Sequence, residues 1–157
     1  MAQDVSIVRP GEGEVIELGP IRIRVLEDGS RTGHRLALCE ATIAPRSSGP
    51  PLHRHAGHDE GFYVLSGTVR FTTGERTWDA PPGTLVLAPT EAPHTFANPA
   101  DEPATFLATF SPDMFVQYFR DLRDALADGQ ELDEHLDRQI SSRYATTPVH
   151  DAAPGDR

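Results

Sequence analysis

His53, His55, Glu60 and His94 place three imidazoles and one carboxylate at spacings that suit a single metal site. In an extended strand, residues two apart point to one face at roughly 6.6 Å separation, so His53 and His55 can lean toward the same ion. Glu60 follows a short turn through Ala56, Gly57, His58 and Asp59, which lets the chain double back and add an oxygen ligand. His94 lies 34 residues after Glu60 and needs a fold that returns the chain to the same spot. Three neutral nitrogens and a carboxylate, with no thiolate nearby, suit a divalent transition metal: Fe, Mn, Ni, Co or Cu, with Zn still in the set. Such an ion keeps a coordination position open for water, substrate or dioxygen, and catalysis requires that opening. Glu60 is the candidate catalytic residue, as a carboxylate that accepts a proton from a bound hydroxyl; a plain fixed ligand is the alternative reading. His34, His135 and His150 lack partners at ligand spacing and are expected at the surface. His58 is expected to face solvent, with a place beside the ligands or at the site entrance as the alternative.

The elements that must position these groups are short strands punctuated by Gly and Pro. Val15–Leu18 and Ile21–Val25 alternate with the period of a half-buried strand, around a Gly19-Pro20 turn. Arg35–Ala44 alternates again, and the Pro-rich loop Pro45–Leu52 delivers the chain to His53 extended. Strands are further expected over 61–66, 68–72, 75–80, 84–88, 94–97 and 104–110, at intervals that suggest a sandwich or barrel. If Glu60 faces inward, Phe62 and Val64 do too while Tyr63 and Leu65 face out; Phe96 follows His94 inward. Phe62, Phe96 and Phe106 are thus the candidate substrate-binding walls, favouring a flat aromatic ligand, with a simple core role as the competing reading. Ser111 and Pro112 read as a helix start, Phe115, Tyr118, Phe119, Leu122 and Leu126 recur at helical spacing, and Asp128-Gly129 ends the run. Leu132, Leu136 and Ile140 mark a second helix. The organisation expected is a β domain over 1–111, helices packed on it over 112–142, and a flexible tail over 143–157.

Composition narrows the partners. The 157 residues carry 24 acidic and 14 basic side chains, a net charge of −10, which repels phosphate backbones and anionic membranes. A small-molecule substrate is expected, with no nucleic acid and no membrane. All basic residues are Arg, so lysine Schiff-base chemistry is closed off. Cys39 falls in an alternating run and reads as a buried small hydrophobe. The first ten residues lack the apolar core of a signal peptide, and no run approaches a membrane span, so a cytoplasmic protein is expected.

The motifs carry a family resemblance. Gly49 to Gly67, with His-x-His, four residues, Glu60, six residues and Gly67, resembles the first cupin motif; Gly83 to Asn98, through Pro89 and His94, resembles the second. Ser47 and Glu91 stand where the pattern usually has glycine, which bears on loop shape and not on the ligands. The resemblance implies an all-β fold, a cupin-type antiparallel β-barrel or jelly roll with a C-terminal helical segment, commonly paired as a homodimer. It implies His53, His55, Glu60 and His94 as ligands. The compact layout is also similar to bacterial quercetin dioxygenases, implying a metal-dependent dioxygenase with O2 as co-substrate and a flavonol-like or polyketide substrate. A non-oxidative cyclase or isomerase on aromatic natural products, or a non-catalytic metal- or ligand-binding cupin, are the other readings.

Overall fold

A computed structural model describes residues 4–150. Twelve strands run antiparallel: β1 (Glu14–Leu18), β2 (Ile21–Glu27), β3 (Ala37–Ile43), β4 (Ser47–Ser48), β5 (His53–His55), β6 (Asp59–Ser66), β7 (Val69–Thr73), β8 (Arg76–Ala80), β9 (Leu85–Ala88), β10 (Thr95–Asn98), β11 (Ala104–Ser111) and β12 (Thr146–Pro148). One sheet has the order β1-β2-β3-β11-β6-β9, a second has β4-β10-β7-β8, and β12 pairs β5 separately. The fold is therefore a jelly-roll sandwich whose sheets do not close into the expected barrel. The period-two patterning explains it: every second residue of β3 and β11 is buried, and the aromatic rings of the two inner faces meet. Phe62 of β6 packs 5.2 Å from Phe71 of β7, and Phe106 of β11 packs 5.1 Å from Phe96 of β10, centroid to centroid.

Two helices cover one mouth of the sandwich, α1 (Val116–Ala127) and α2 (Glu134–Ser141). Helix α1 begins later than Ser111 predicts. Ser111 still pairs with Asp59 at the end of β11, and its hydroxyl donates to the Arg35 carbonyl, so it cannot cap a helix. Asp113 is engaged by the His34 ring, at 2.8 Å. The Asp133 carboxylate caps α2 by accepting from the Leu136 amide at 2.8 Å. Arg120 binds α1 to the sheet through Glu14 of β1 (2.8 Å) and Asp28 (2.9 Å).

The flexible tail expected from 143 needs correction as far as 150. After a 3-10 turn (Ser142–Tyr144) the chain re-enters as β12, with Ala56 N–H donating to Ala145 O and Val149 N–H to Leu52 O. The polar composition that suggested disorder hides a strand that fills the free edge beside His53–His55. Residues 151–157 lie outside the described residues. No described helix is long and apolar enough to cross a membrane.

Candidate metal centre and cavity

The local chain path explains how four distant side chains meet. In β5, His53 and His55 are both buried while the intervening Arg54 is exposed, as strand alternation requires. Glu60 is the second residue of β6, buried on the inner face with Phe62 and Val64, and Tyr63 and Leu65 face out. His94 is fixed by a backbone bridge to His53, with mutual N–H···O bonds of 3.1 and 2.8 Å. The loop before His94 is clamped by Asp59, whose carboxylate accepts from the Thr90 amide and hydroxyl at 2.7 and 2.8 Å. One potential ligand atom from each of His53, His55, Glu60 and His94 lies within 4.8 Å of all the others, and all four residues are buried.

The donor chemistry fits a cation. His53 Nδ1 is 2.8 Å from Pro51 O and His94 Nδ1 is 2.9 Å from Ala92 O. A carbonyl only accepts, so both Nδ1 atoms carry hydrogen and both Nε2 atoms turn to the cluster. There His53 Nε2 and His55 Nε2 are 3.2 Å apart, and Glu60 Oε2 lies 2.9 Å from His55 Nε2 and 3.0 Å from His94 Nε2. Burial alone would raise the Glu60 carboxyl, but the bonds from His55 and His94 outweigh it and hold it far below the usual carboxylate range. Burial likewise opposes a proton on His94, and the Glu60 carboxylate reverses that, raising its pKa. Burial, then His94 and His55, lower His53 to about 4. A divalent ion among three nitrogen lone pairs and a carboxylate satisfies all four groups at once.

The cluster opens on a cavity of about 690 Å³ between the sheets and the two helices, with His53 and Glu60 on its wall. Phe96 and Phe106 line it as expected. Phe62 does not: it is fully buried, its inner face taken up by the rings of Phe71, Phe96 and Phe106. Phe115, Tyr118 and Phe119 of the α1 segment form much of the opposite wall, and Tyr118 donates a short hydrogen bond to the α2 carboxylate of Asp137. Gly49 shapes the wall too, since a Cβ there would fall 2.5 Å from Phe96 O and 2.7 Å from its ring. The one cation on the wall among the described residues, Arg70, is held bidentate by Asp79 at 2.7 and 3.0 Å.

Two side chains at the site are not where the sequence suggested. His58 is buried, 1% exposed, with its ring stacked 4.1 Å from that of His55 and no hydrogen-bond partner on either nitrogen among the described residues. The turn that carries Glu60 folds it inward under Phe110 and Phe115 instead of outward. Thr146, placed in the tail by its sequence, has its hydroxyl 2.7 Å from His55 Nδ1. Only the β-branched pair Thr146-Thr147 hinted at a strand there. Cys39 is buried as expected, with desolvation pushing its thiol up to about 12.

Residues 39–110 match the family model described as the cupin domain. This stretch is a cupin domain. No curated protein matches its sequence. Among solved structures this cupin resembles the polyketide cyclase RemF from Streptomyces resistomycificus (23% identity, TM-score 0.62), with 69% of this chain and 80% of that one covered. It also resembles KdgF from a Halomonas species (18%, 0.61, covering 69% and 94%) and an RmlC-like cupin from Shewanella frigidimarina (19%, 0.58, covering 71% and 95%). At these identities the likeness is one of fold, which hosts many chemistries.

Proposed function

We propose that this cupin is a metal-dependent dioxygenase acting on a flat, neutral aromatic substrate of flavonol or polyketide type. The observation that carries the reading is a four-residue cluster of potential ligands at the wall of a large, mainly apolar cavity with no free cation among the described residues. Phosphates and sugar acids find no partner there, because Arg70 is already paired and Glu60, Asp133, Glu134 and Asp137 make the polar part of the wall acidic. A planar ring system gains from burial against Phe96, Phe106 and Phe115 at about 25 cal/mol per Å² of apolar surface.

In this reading His53, His55, Glu60 and His94 hold the ion, which supplies an open coordination position and Lewis acidity when bound. The chain's own groups do the rest. Glu60 Oε2 faces the imidazoles, and Oε1 has no partner among the described residues, so it is placed to accept the proton of a substrate hydroxyl, provided a bound ion would make that hydroxyl acidic enough for so weak a base. The aromatic walls exclude water and fix the ring plane.

A second reading, proton-transfer cyclisation without net oxidation, is favoured by the Tyr118–Asp137 pair on the cavity wall, and a polyketide cyclase shares the scaffold. Oxygen uptake by the metal-reconstituted protein with flavonols separates the two. Consumption of O2 matched to substrate loss supports the dioxygenase; a product of unchanged oxidation state from an aromatic polyketide, with no O2 consumed, overturns it in favour of the cyclase.

A further inference from the structure

We propose that Thr146 is a positioning residue for the metal ligand His55, so that the C-terminal strand β12 is a working part of the metal centre. The inference rests on the reading of His53, His55, Glu60 and His94 as a metal site. It starts from one hydrogen. The Thr146 hydroxyl sits 2.7 Å from His55 Nδ1 and 3.1 Å from Tyr144 O, and it has a single proton for the two contacts. Tyr144 O can only accept. Both contacts are hydrogen bonds only when Thr146 donates to Tyr144 O and accepts from an Nδ1–H of His55. In the neutral ring that leaves the lone pair on His55 Nε2, the atom facing the cluster, and a bound ion would take it in place of the 2.9 Å contact with Glu60. His53 and His94 receive the same instruction from Pro51 O and Ala92 O, each two residues from its histidine. His55 alone takes it from a residue 91 positions away.

The strand is built to deliver that hydroxyl. Thr146 pairs with His55 in the β12–β5 ladder, and the ladder is flanked by Ala56 N–H to Ala145 O (2.8 Å) and Val149 N–H to Leu52 O (2.9 Å). Thr146 is only 4% exposed, so bulk water does not readily replace its oxygen. Ala145 adopts φ 50°, a left-handed conformation that turns the chain into the strand although alanine disfavours it. Coupling of this kind is reciprocal: if docked β12 favours metal, bound metal favours docked β12.

The test compares wild type with Thr146→Val, which keeps shape and β-branching but has no oxygen, and with Thr146→Ser, which restores the hydroxyl. Zn2+ serves as a diamagnetic probe in calorimetric titration. Loss of a hydrogen bond that orients a ligand typically weakens metal binding 10–100-fold, so Thr146→Val should raise the Zn2+ Kd by roughly that factor and Thr146→Ser should recover most of it. A readout independent of affinity is the imidazole 15N spectrum of the Zn2+ form. There the His55 Nδ1–H should exchange slowly in wild type and Thr146→Ser, and rapidly in Thr146→Val. Hydrogen exchange supplies the reciprocal check, with Zn2+ protecting the Val149 amide in wild type and failing to do so in Thr146→Val. Equal Zn2+ Kd values in wild type and Thr146→Val, with unchanged His55 signals, overturn the role of Thr146 and leave the metal site standing. Failure of wild type to take up Zn2+, Mn2+, Fe2+, Ni2+, Co2+ or Cu2+ overturns the metal site itself.

Discussion

His58 shows how one side chain can be legible in type and misjudged in place. A histidine beside Asp59 in a turn reads as exposed, yet it is buried against His55, Phe110 and Phe115, with both ring nitrogens unpaired among the described residues. Leaving a buried polar group unsatisfied costs about 1–3 kcal/mol, so His58→Leu, of similar volume, should stabilise the fold by that order in urea unfolding at neutral pH. An unchanged or lower midpoint would show that the ring has a partner in solution. Asn98 is the opposite case. Of its two amide hydrogens one goes to Glu102 O at 2.7 Å and the other is shared between Ile43 O and Ala44 O at 3.2 Å, while its carbonyl accepts from the Ala100 amide, which ties the end of β3 to the loop after β10 at one buried point. Asn98→Ala strands those carbonyls and should destabilise by roughly 1–3 kcal/mol, read from the same denaturation curves. The clustering of His53, His55, Glu60 and His94 was legible because metal chemistry restricts residue type and strand geometry restricts spacing. Thr146 was not, because a lone hydroxyl 91 residues from its partner leaves no periodic trace.

At the scale of elements, period two located the long strands to within a residue or two, since burial on one face and exposure on the other is written in the order of the side chains. It missed β4 and β12, which are two and three residues long and too short to show a period. The Pro89–His94 loop keeps its shape without the usual glycine: Glu91 adopts φ 70°, and its amide donates to His55 O at 2.8 Å. Glu91→Gly removes left-handed strain of about 1–2 kcal/mol, and greater freedom of the unfolded chain offsets part of it. A net gain of roughly 0.5–1 kcal/mol is expected in chemical denaturation, since the exposed Arg54–Glu91 pair contributes little. The attachment of α1 to the sheet carries a pH signature. The hydrogen bond from Ser30, then that from Arg120, lower Asp28 from 3.8 to about 2. A depressed carboxyl contributes stability above its unfolded pKa and loses it as pH falls through the folded one, so this contribution fades between about pH 4 and 2. Asp28→Asn should flatten the stability profile in that window, and a slope identical to wild type would rule the contact out as a source of acid lability.

For the whole molecule, a ligand that binds only the folded state stabilises it by mass action, by about 2.7 kcal/mol at a hundredfold excess over Kd. In a domain of this size that is a Tm increase of roughly 5–11 °C, expected on adding the cognate divalent metal and reversed by a chelator. His94→Ala should abolish the increase while the apolar core that sets the basal Tm stays in place. Stabilisation of His94→Ala equal to that of wild type would place the ion elsewhere. The order of the chain adds one more consequence. The four ligands are encoded between positions 53 and 94, yet β6, which carries Glu60, is sandwiched between β9 and β11, and β5 has its edge completed by β12 at Thr146–Pro148. A nascent polypeptide leaving the ribosome therefore displays all four ligands before it owns the walls that orient them. A chain cut before Thr146 would keep all four of these residues and lose the strand that borders β5, so it is expected to hold a divalent ion more weakly than the chain with β12 in place, as metal titration of the two would show.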